Sequence, residues 1–264
     1  MPLLRTNRTK KVLEDGGVAF GSLSLLPEPA IGELLGATGY DFLIIDTEHV
    51  SVAGRDVEAM VRGCEAADIT PLVRVRSLAD EGEVLATLDA GAQGIVVPLV
   101  PDRATADAAV AMTRFPPVGQ RTLCSATRAA GHGAYRDDMR PFLDHVNAQM
   151  LVVGLVETPE GVQNAREIVR SGMDVFFVGR SDLSLHMGLG YQPNHPDVVE
   201  ASRRVLGEAL DAGKAAAIIA YDLEQAEQWI DFGCTFVVYS QPEMVLSTFY
   251  REGRSRLAEL AARR

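Results

Sequence analysis

Apolar residues in this chain fall into short, nearly continuous runs separated by longer segments of mixed character. The runs cover residues 18–23, 42–46, 71–75, 94–98, 151–157, 175–178, 215–220 and 235–239. Such runs suit strands buried on both faces of a parallel sheet. Between them, residues 30–37, 57–67, 83–90, 103–113, 160–170, 196–212 and 223–232 have helical composition. Gly91, Gly172, Gly213 and Gly233 close several of these segments, where a helix C-cap needs glycine. Eight strands alternating with helices predict a closed (β/α)8 TIM barrel, an α/β fold, with an open doubly wound sheet as the competing architecture. Residues 243–264 form an amphipathic pattern with a basic end, an additional C-terminal helix free to pack on a partner subunit. Residues 115–138, rich in Gly, Pro and Arg, predict an active-site loop between the fourth and fifth strands.

Length supports one domain spanning 1–264, since a single barrel takes about 250 residues. With 47% hydrophobic and 23% charged residues, the chain can bury a sizeable core. A formal net charge of −11 argues against binding nucleic acid or anionic membrane surfaces. An anionic substrate then needs a local positive site, a metal ion or an arginine, against the overall field. Cys64, Cys124 and Cys234 are too few and too scattered for a disulfide framework or a zinc site, and are expected as reduced thiols. The polar, basic N-terminal segment has no 7–15-residue apolar stretch behind it, so no signal peptide is expected. No run approaches the ~18 apolar residues of a membrane span, and the expectation is a soluble, cytoplasmic protein. No GxGxxG or GxxxxGK[ST] phrase follows a strand.

Chemistry in such a barrel sits where strands end at the C-terminal face. The second strand runs into Asp46-Thr47-Glu48-His49, the third into Arg74, the fifth into Glu157, and the sixth into Arg180-Ser181-Asp182. Each has a plain structural reading: an Asp after a strand caps a helix, and an Arg there pairs with a surface acid. Together they assemble acids, a histidine and an arginine on one rim. Carboxylates without neighbouring thiols suit a hard cation, Mg²⁺ or Mn²⁺, that keeps waters and accepts substrate oxygens. A histidine near a carboxylate is a candidate general base, and an arginine can stabilise enolate charge.

The phrases Gly39-Tyr40-Asp41-Phe42-Leu43-Ile44-Ile45-Asp46-Thr47-Glu48-His49, Pro71-Leu72-Val73-Arg74-Val75, Leu88-Asp89-Ala90-Gly91-Ala92-Gln93-Gly94, Val156-Glu157-Thr158 and Val178-Gly179-Arg180-Ser181-Asp182-Leu183-Ser184 occur in one register. In that register the chain resembles the HpcH/HpaI aldolase family, the class II metal-dependent pyruvate aldolases of the phosphoenolpyruvate/pyruvate barrel superfamily, over residues 20–239. The resemblance implies that Glu157 and Asp182 bind a divalent metal (Mg²⁺, Mn²⁺ or Co²⁺). It places the substrate carboxylate on amides around Ser181 and Asp182, and Arg74 on the keto oxygen. His49, paired with Asp46, would steer proton transfer through water, with Asp89 an acid near the entrance. It further implies a homo-oligomer, a hexamer built as a trimer of dimers, with helix 243–264 swapped between subunits. Leu155 replaces the family's Gln and Arg180 its Pro, which places both among the expected substrate-lining residues; Leu23 stands for a common Trp, and Arg121-Thr122-Leu123-Cys124 for Arg-Gly-x-Gly.

The function so implied is a metal-dependent aldolase, a carbon–carbon lyase that joins or splits a 4-hydroxy-2-oxo acid, giving pyruvate (or a close 2-oxo acid) and an aldehyde. A citrate-lyase-β-like CoA-thioester lyase is the alternative enzyme; its basic CoA-binding positions are not evident, and 264 residues is short for it. A non-catalytic barrel that binds a 2-oxo acid is the third reading. Retention of Asp46, His49, Arg74, Glu157 and Asp182 together favours catalysis.

Overall fold

A computed structural model describes residues 4–52 and 54–263. The strands are β1 (Ala19–Ser24), β2 (Phe42–Asp46), β3 (Thr70–Arg74), β4 (Gly94–Val97), β5 (Leu151–Val156), β6 (Val175–Val178), β7 (Ala215–Ala220) and β8 (Phe236–Tyr239). They pair in parallel in chain order, and β8 closes on β1, with Ala19 opposite Phe236. Each lies within one residue of its predicted run. The helices are α1 (Arg8–Glu14), α2 (Ala30–Ala37), α3 (Gly54–Ala66), α4 (Glu81–Asp89), α5 (Arg103–Thr113), α6 (Arg140–Gln149), α7 (Pro159–Ile168), α8 (Arg180–His186), α9 (Pro196–Asp211), α10 (Leu223–Phe232) and α11 (Pro242–Ala262). The sequence pattern does not reveal α1, α6 and α8, which carry too few apolar positions to show a helical period. Among the described residues, no helix is long and apolar enough to cross a membrane.

Alternation along each strand sends every second residue into the barrel. Leu23, Phe42, Ile44, Leu72, Val96, Val153, Leu155, Phe177, Phe236 and Val238 fill the interior as one cluster. Phe42 stacks on Phe236 with ring centroids 4.1 Å apart. Gly21 makes room for that ring, because a Cβ there would collide with Phe42. Helix α1 lies at the N-terminal end, where Asn7 Nδ2 donates to the carbonyls of Gln93 (3.1 Å) and Gln149 (3.0 Å).

The long connection between α5 and α6 corrects an expectation. A helix that follows a parallel strand runs back along the barrel, so the chain leaves α5 at the N-terminal end. Residues 115–138 therefore dock at that end and not on the catalytic rim of their own barrel. Arg121 bonds Asp89 at 2.9 Å, and Arg128 pairs with Glu65 while donating to the Ala90 carbonyl. Helix α11 buries none of its residues and exposes Met244, Val245, Leu246, Phe249, Tyr250, Leu257 and Leu260. Its first turn is tied to the barrel by Glu243, whose Oε1 accepts from the amides of Leu25 and Leu26, both at 2.7 Å. A groove of about 610 Å³ opens over the outer faces of β8 and β1, lined by Phe20, Tyr40, Leu223, Ile230, Val237 and Tyr239.

Candidate active site

The interior row continues upward into a polar layer. On β2, Ile44 is followed two residues later by Asp46; on β3, Leu72 by Arg74; after β5, Leu155 by Glu157. The period of two thus delivers three charged side chains to the mouth without changing strand direction. Asp46 is buried, and both its oxygens are bonded: it accepts from Arg74 Nε at 2.8 Å, the Glu48 amide at 3.0 Å and the His49 amide at 3.3 Å. Asp46 therefore holds the 46–49 turn and Arg74 together. It does not pair with the imidazole, as the expected His49–Asp46 couple required. The ring's neighbour is Glu48: His49 Nε2 lies 3.6 Å from Glu48 Oε2, which also lies 3.3 Å from Arg74 Nε. The imidazole is 55% exposed at the mouth.

Burial works against the charge on Arg74, but its bond to Asp46 and the fields of Asp46, Glu48 and Glu157 outweigh it and raise its pKa. Among the described residues the hydrogen bond of that guanidinium is made by Nε, to Asp46, with Glu48 Oε2 at 3.3 Å. Glu48 is pushed up mainly by burial, with Arg74 and His49 opposing and Asp46 and Asp182 adding to the rise. Glu157 is pushed up to about 7, first by burial and then by the charges of Asp182 and Glu48, against the Leu99 amide and Arg74. The Leu99 amide donates to Glu157 Oε1 at 2.8 Å, and Leu99 has φ 50. A leucine in the left-handed region stores roughly 1–3 kcal/mol of strain; here the strained turn aims a donor at a carboxylate. Gly179 passes against the other oxygen, and a Cβ there would collide with Glu157 Oε2. Ser181 and Asp182 follow in the first turn of α8, and His186 Nδ1 lies 3.0 Å from the Glu157 carbonyl.

The residues fit a hard divalent cation. Three carboxylates, Glu48, Glu157 and Asp182, act on one another electrostatically around Arg74. One of them is forced toward its protonated form, and added positive charge relieves that. Glu157 and Asp182 supply oxygen only, which suits an ion that keeps several waters. Among the described residues, no group of three or more His, Cys, Asp or Glu side chains forms an all-protein cage.

Two expected site residues lie away from the mouth of their own barrel. Arg180 follows the inward Gly179, so its side chain turns outward. It is 5% exposed, donates from Nη1 to Asn194 Oδ1 (2.8 Å) and from Nη2 to the Ile219 carbonyl (3.1 Å), and sits over Trp229 at 5.6 Å. Asp89 is the last residue of α4 and therefore lies at the N-terminal end of its own barrel, bonded to Arg121. Leu155 is buried in the interior row directly beneath Glu157, an apolar floor to the mouth. Three further residues contribute that the sequence pattern did not single out: Glu48, Leu99 and His186. Glu48 was legible, since it stands inside the Asp46–His49 run. Leu99 acts through its backbone and His186 through a contact between α8 and the end of β5, and neither leaves a sequence signal.

Fold and rim together define a barrel enzyme of the carbon–carbon lyase class. A family model described as HpcH/HpaI aldolase/citrate lyase matches residues 23–241, and the chain belongs to that family. A hydroxypyruvate/pyruvate aldolase of Paraburkholderia phytofirmans is 34% identical over 246 residues, 90% of this chain and 93% of that protein. A 4-hydroxy-2-oxo-heptane-1,7-dioate aldolase of Shigella sonnei is 32% identical over 232 residues, 88% of this chain and 87% of that protein. The crystal structure of a HpcH/HpaI aldolase/citrate lyase family protein from Burkholderia cenocepacia superposes with a TM-score of 0.87 at 34% identity, covering 97% of this chain and 100% of that one.

Proposed function

We propose that this protein is a divalent-metal-dependent aldolase that reversibly splits a 4-hydroxy-2-oxo acid into pyruvate, or a close 2-oxo acid, and an aldehyde. The observation that carries this reading is Arg74, held through Nε by Asp46 and Glu48 at 2.8 and 3.3 Å and within the electrostatic reach of Glu157. In cleavage, a base removes the proton from the C4 hydroxyl, the C3–C4 bond breaks, and its electrons collect on the C2 oxygen. Arg74 hydrogen-bonds that oxygen, most strongly when it carries enolate charge. His49, exposed beside Glu48, takes the hydroxyl proton through water. A proton returned to C3 completes pyruvate. Glu157 and Asp182 would hold a Mg²⁺, Mn²⁺ or Co²⁺ ion, which supplies Lewis acidity toward the 2-oxo acid. The first-turn amides at Ser181 and Asp182 suit its carboxylate. Leu155, apolar where an amide could hydrogen-bond, favours a less polar aldehyde or a bulkier 2-oxo acid. The test is exchange of the pyruvate methyl protons with deuterated solvent, followed by NMR in chelated and metal-replenished enzyme.

The enzyme is also proposed to work as a homo-oligomer, a hexamer arranged as a trimer of dimers, with α11 of one subunit in the β8–β1 groove of the next. Supporting this, α11 carries apolar residues that its own barrel leaves exposed, and the groove presents an apolar lining of matching character. A cytoplasmic setting agrees with the free thiols of Cys64 and Cys234.

A further inference from the structure

The acceptor side of the mouth has a built feature that the aldolase steps do not use, and its reading rests on the aldolase assignment. In β7, Ala217 and Ile219 face the barrel interior, and the same alternation carries Tyr221, just beyond the strand, over the mouth. β7 and β3 lie four strands apart in an eight-strand ring, so Tyr221 stands across the opening from Arg74. Its phenol lies within electrostatic reach of both Arg74 and Arg180, and near Tyr191, which lies beyond α8. Tyr221 is 42% exposed and Tyr191 71%, so both ring surfaces are open to a ligand.

The turn that carries Tyr221 is held from behind. Arg180 Nη2 bonds the Ile219 carbonyl at 3.1 Å and lies 3.5 Å from Gln225 Oε1, one contact on each side of Tyr221. Asp222 caps α10 by accepting from the Gln225 amide at 2.7 Å. Arg180 is thus a buried brace held by amide and carbonyl oxygens, and its Nε has no partner among the described residues. A 2-oxo acid anchored at Arg74 and Glu157 must extend its reacting carbon away from β3 and β5, toward β7. There it meets Tyr221, which follows the inward Ile219 by two residues and is exposed enough to offer a ring face for offset stacking.

We propose that Tyr221, positioned by Arg180, is the specificity-determining residue of the aldehyde subsite, and that this subsite takes aromatic aldehydes. The experiment uses full-length enzyme loaded with Mn²⁺. It measures kcat/KM for addition of pyruvate to benzaldehyde and to propanal, and reads their ratio, in which losses from folding or metal occupancy cancel. Wild type is expected to favour benzaldehyde. Tyr221→Phe keeps the ring and is expected to hold the ratio within about twofold. Tyr221→Ala and, as a second ring-free variant, Tyr221→Leu are expected to lower it about three- to tenfold, the range of an aromatic pair. Arg180→Lys, which cannot reach both braced atoms in the same fork, is expected to shift it the same way. An unchanged ratio in both ring-free variants, or a wild-type preference for propanal, overturns the proposal; an unchanged ratio in Arg180→Lys removes Arg180 from it. Pyruvate proton exchange in wild type separates the two readings. If exchange is absent, the aldolase reading falls and this inference with it; if exchange is present while the ratios coincide, only this inference falls.

Discussion

Removing the ionisable proton at Glu157 is expected to change how the metal-free protein responds to pH. The ordinary value for a glutamate is 4.5, and burial beside Asp182 and Glu48 lifts Glu157 to about 7. At about 1.4 kcal/mol per pH unit, the folded state gains about 3 kcal/mol from keeping this carboxyl protonated. The sign follows from proton binding. Between about 4.5 and about 7 the folded chain holds a proton that the unfolded chain has lost, so stability falls as pH rises. The contribution is fully present below pH 4.5 and gone above about 7. For a chain of this size, 3 kcal/mol corresponds to a melting shift of roughly 6–12 °C. A metal ion competes with the same proton, so its apparent affinity should rise about tenfold per pH unit up to 7 and then level off. The assay is thermal melting from pH 5 to pH 8, with and without Mn²⁺, for wild type and Glu157→Gln. The variant is expected to lose this part of the pH slope, and most of the metal-induced stabilisation. Parallel pH profiles for the two metal-free proteins would refute a raised Glu157 as the source of that slope.

Chelation is expected to abolish activity, with Mg²⁺, Mn²⁺ or Co²⁺ restoring it; full activity in a Glu157→Ala/Asp182→Ala double variant would remove the metal from the reaction. Arg74→Ala is expected to lose proton exchange and aldol cleavage together, by roughly 10²–10³. His49→Ala is expected to slow the proton-transfer step by about 10²–10⁴, and wild-type rates in either variant would exclude that residue. Truncation before residue 243 removes most of α11 and is expected to release monomers, read by light scattering on the eluting species; an unchanged mass would show that the β8–β1 groove is not its seat.

The fold was legible because both periods in the chain are strong. Strands buried on both sides tolerate almost no polar interruption, so all eight stand out as apolar runs. The helices that left no pattern are short or bury few apolar residues: α6 buries Phe142, and α8 buries Leu183. In α1, Thr9 is the buried residue, and the helix is fixed by Asn7, Arg8 and Lys10 reaching backbone and acids at the foot of the barrel. In residues 115–138, Gly, Pro and Arg mark an irregular loop without saying at which end of its own barrel it hangs. Chain direction decides that: whatever follows α5 must start from the N-terminal end.

The site was legible to the extent that it is carried by strand register. Asp46, Arg74 and Glu157 each stand two residues beyond an interior apolar residue, and the closed barrel turns three separate one-dimensional patterns into a single ring. Register also explains the misplacement of Arg180. Gly179 and Arg180 are adjacent in sequence, but adjacent residues at a strand end point to opposite sides, so the one that admits Glu157 and the one that braces β7 cannot both face the mouth. Asp46 and His49 were paired by proximity in the chain, whereas the structure spends both Asp46 oxygens on the turn and on Arg74, leaving Glu48 for the imidazole. What orients Asp46 is where its donors stand: two meet Oδ1 and one meets Oδ2, none of them the imidazole. In the proposed reaction His49 would therefore work beside Glu48, and Asp46 would act by fixing where Arg74 stands.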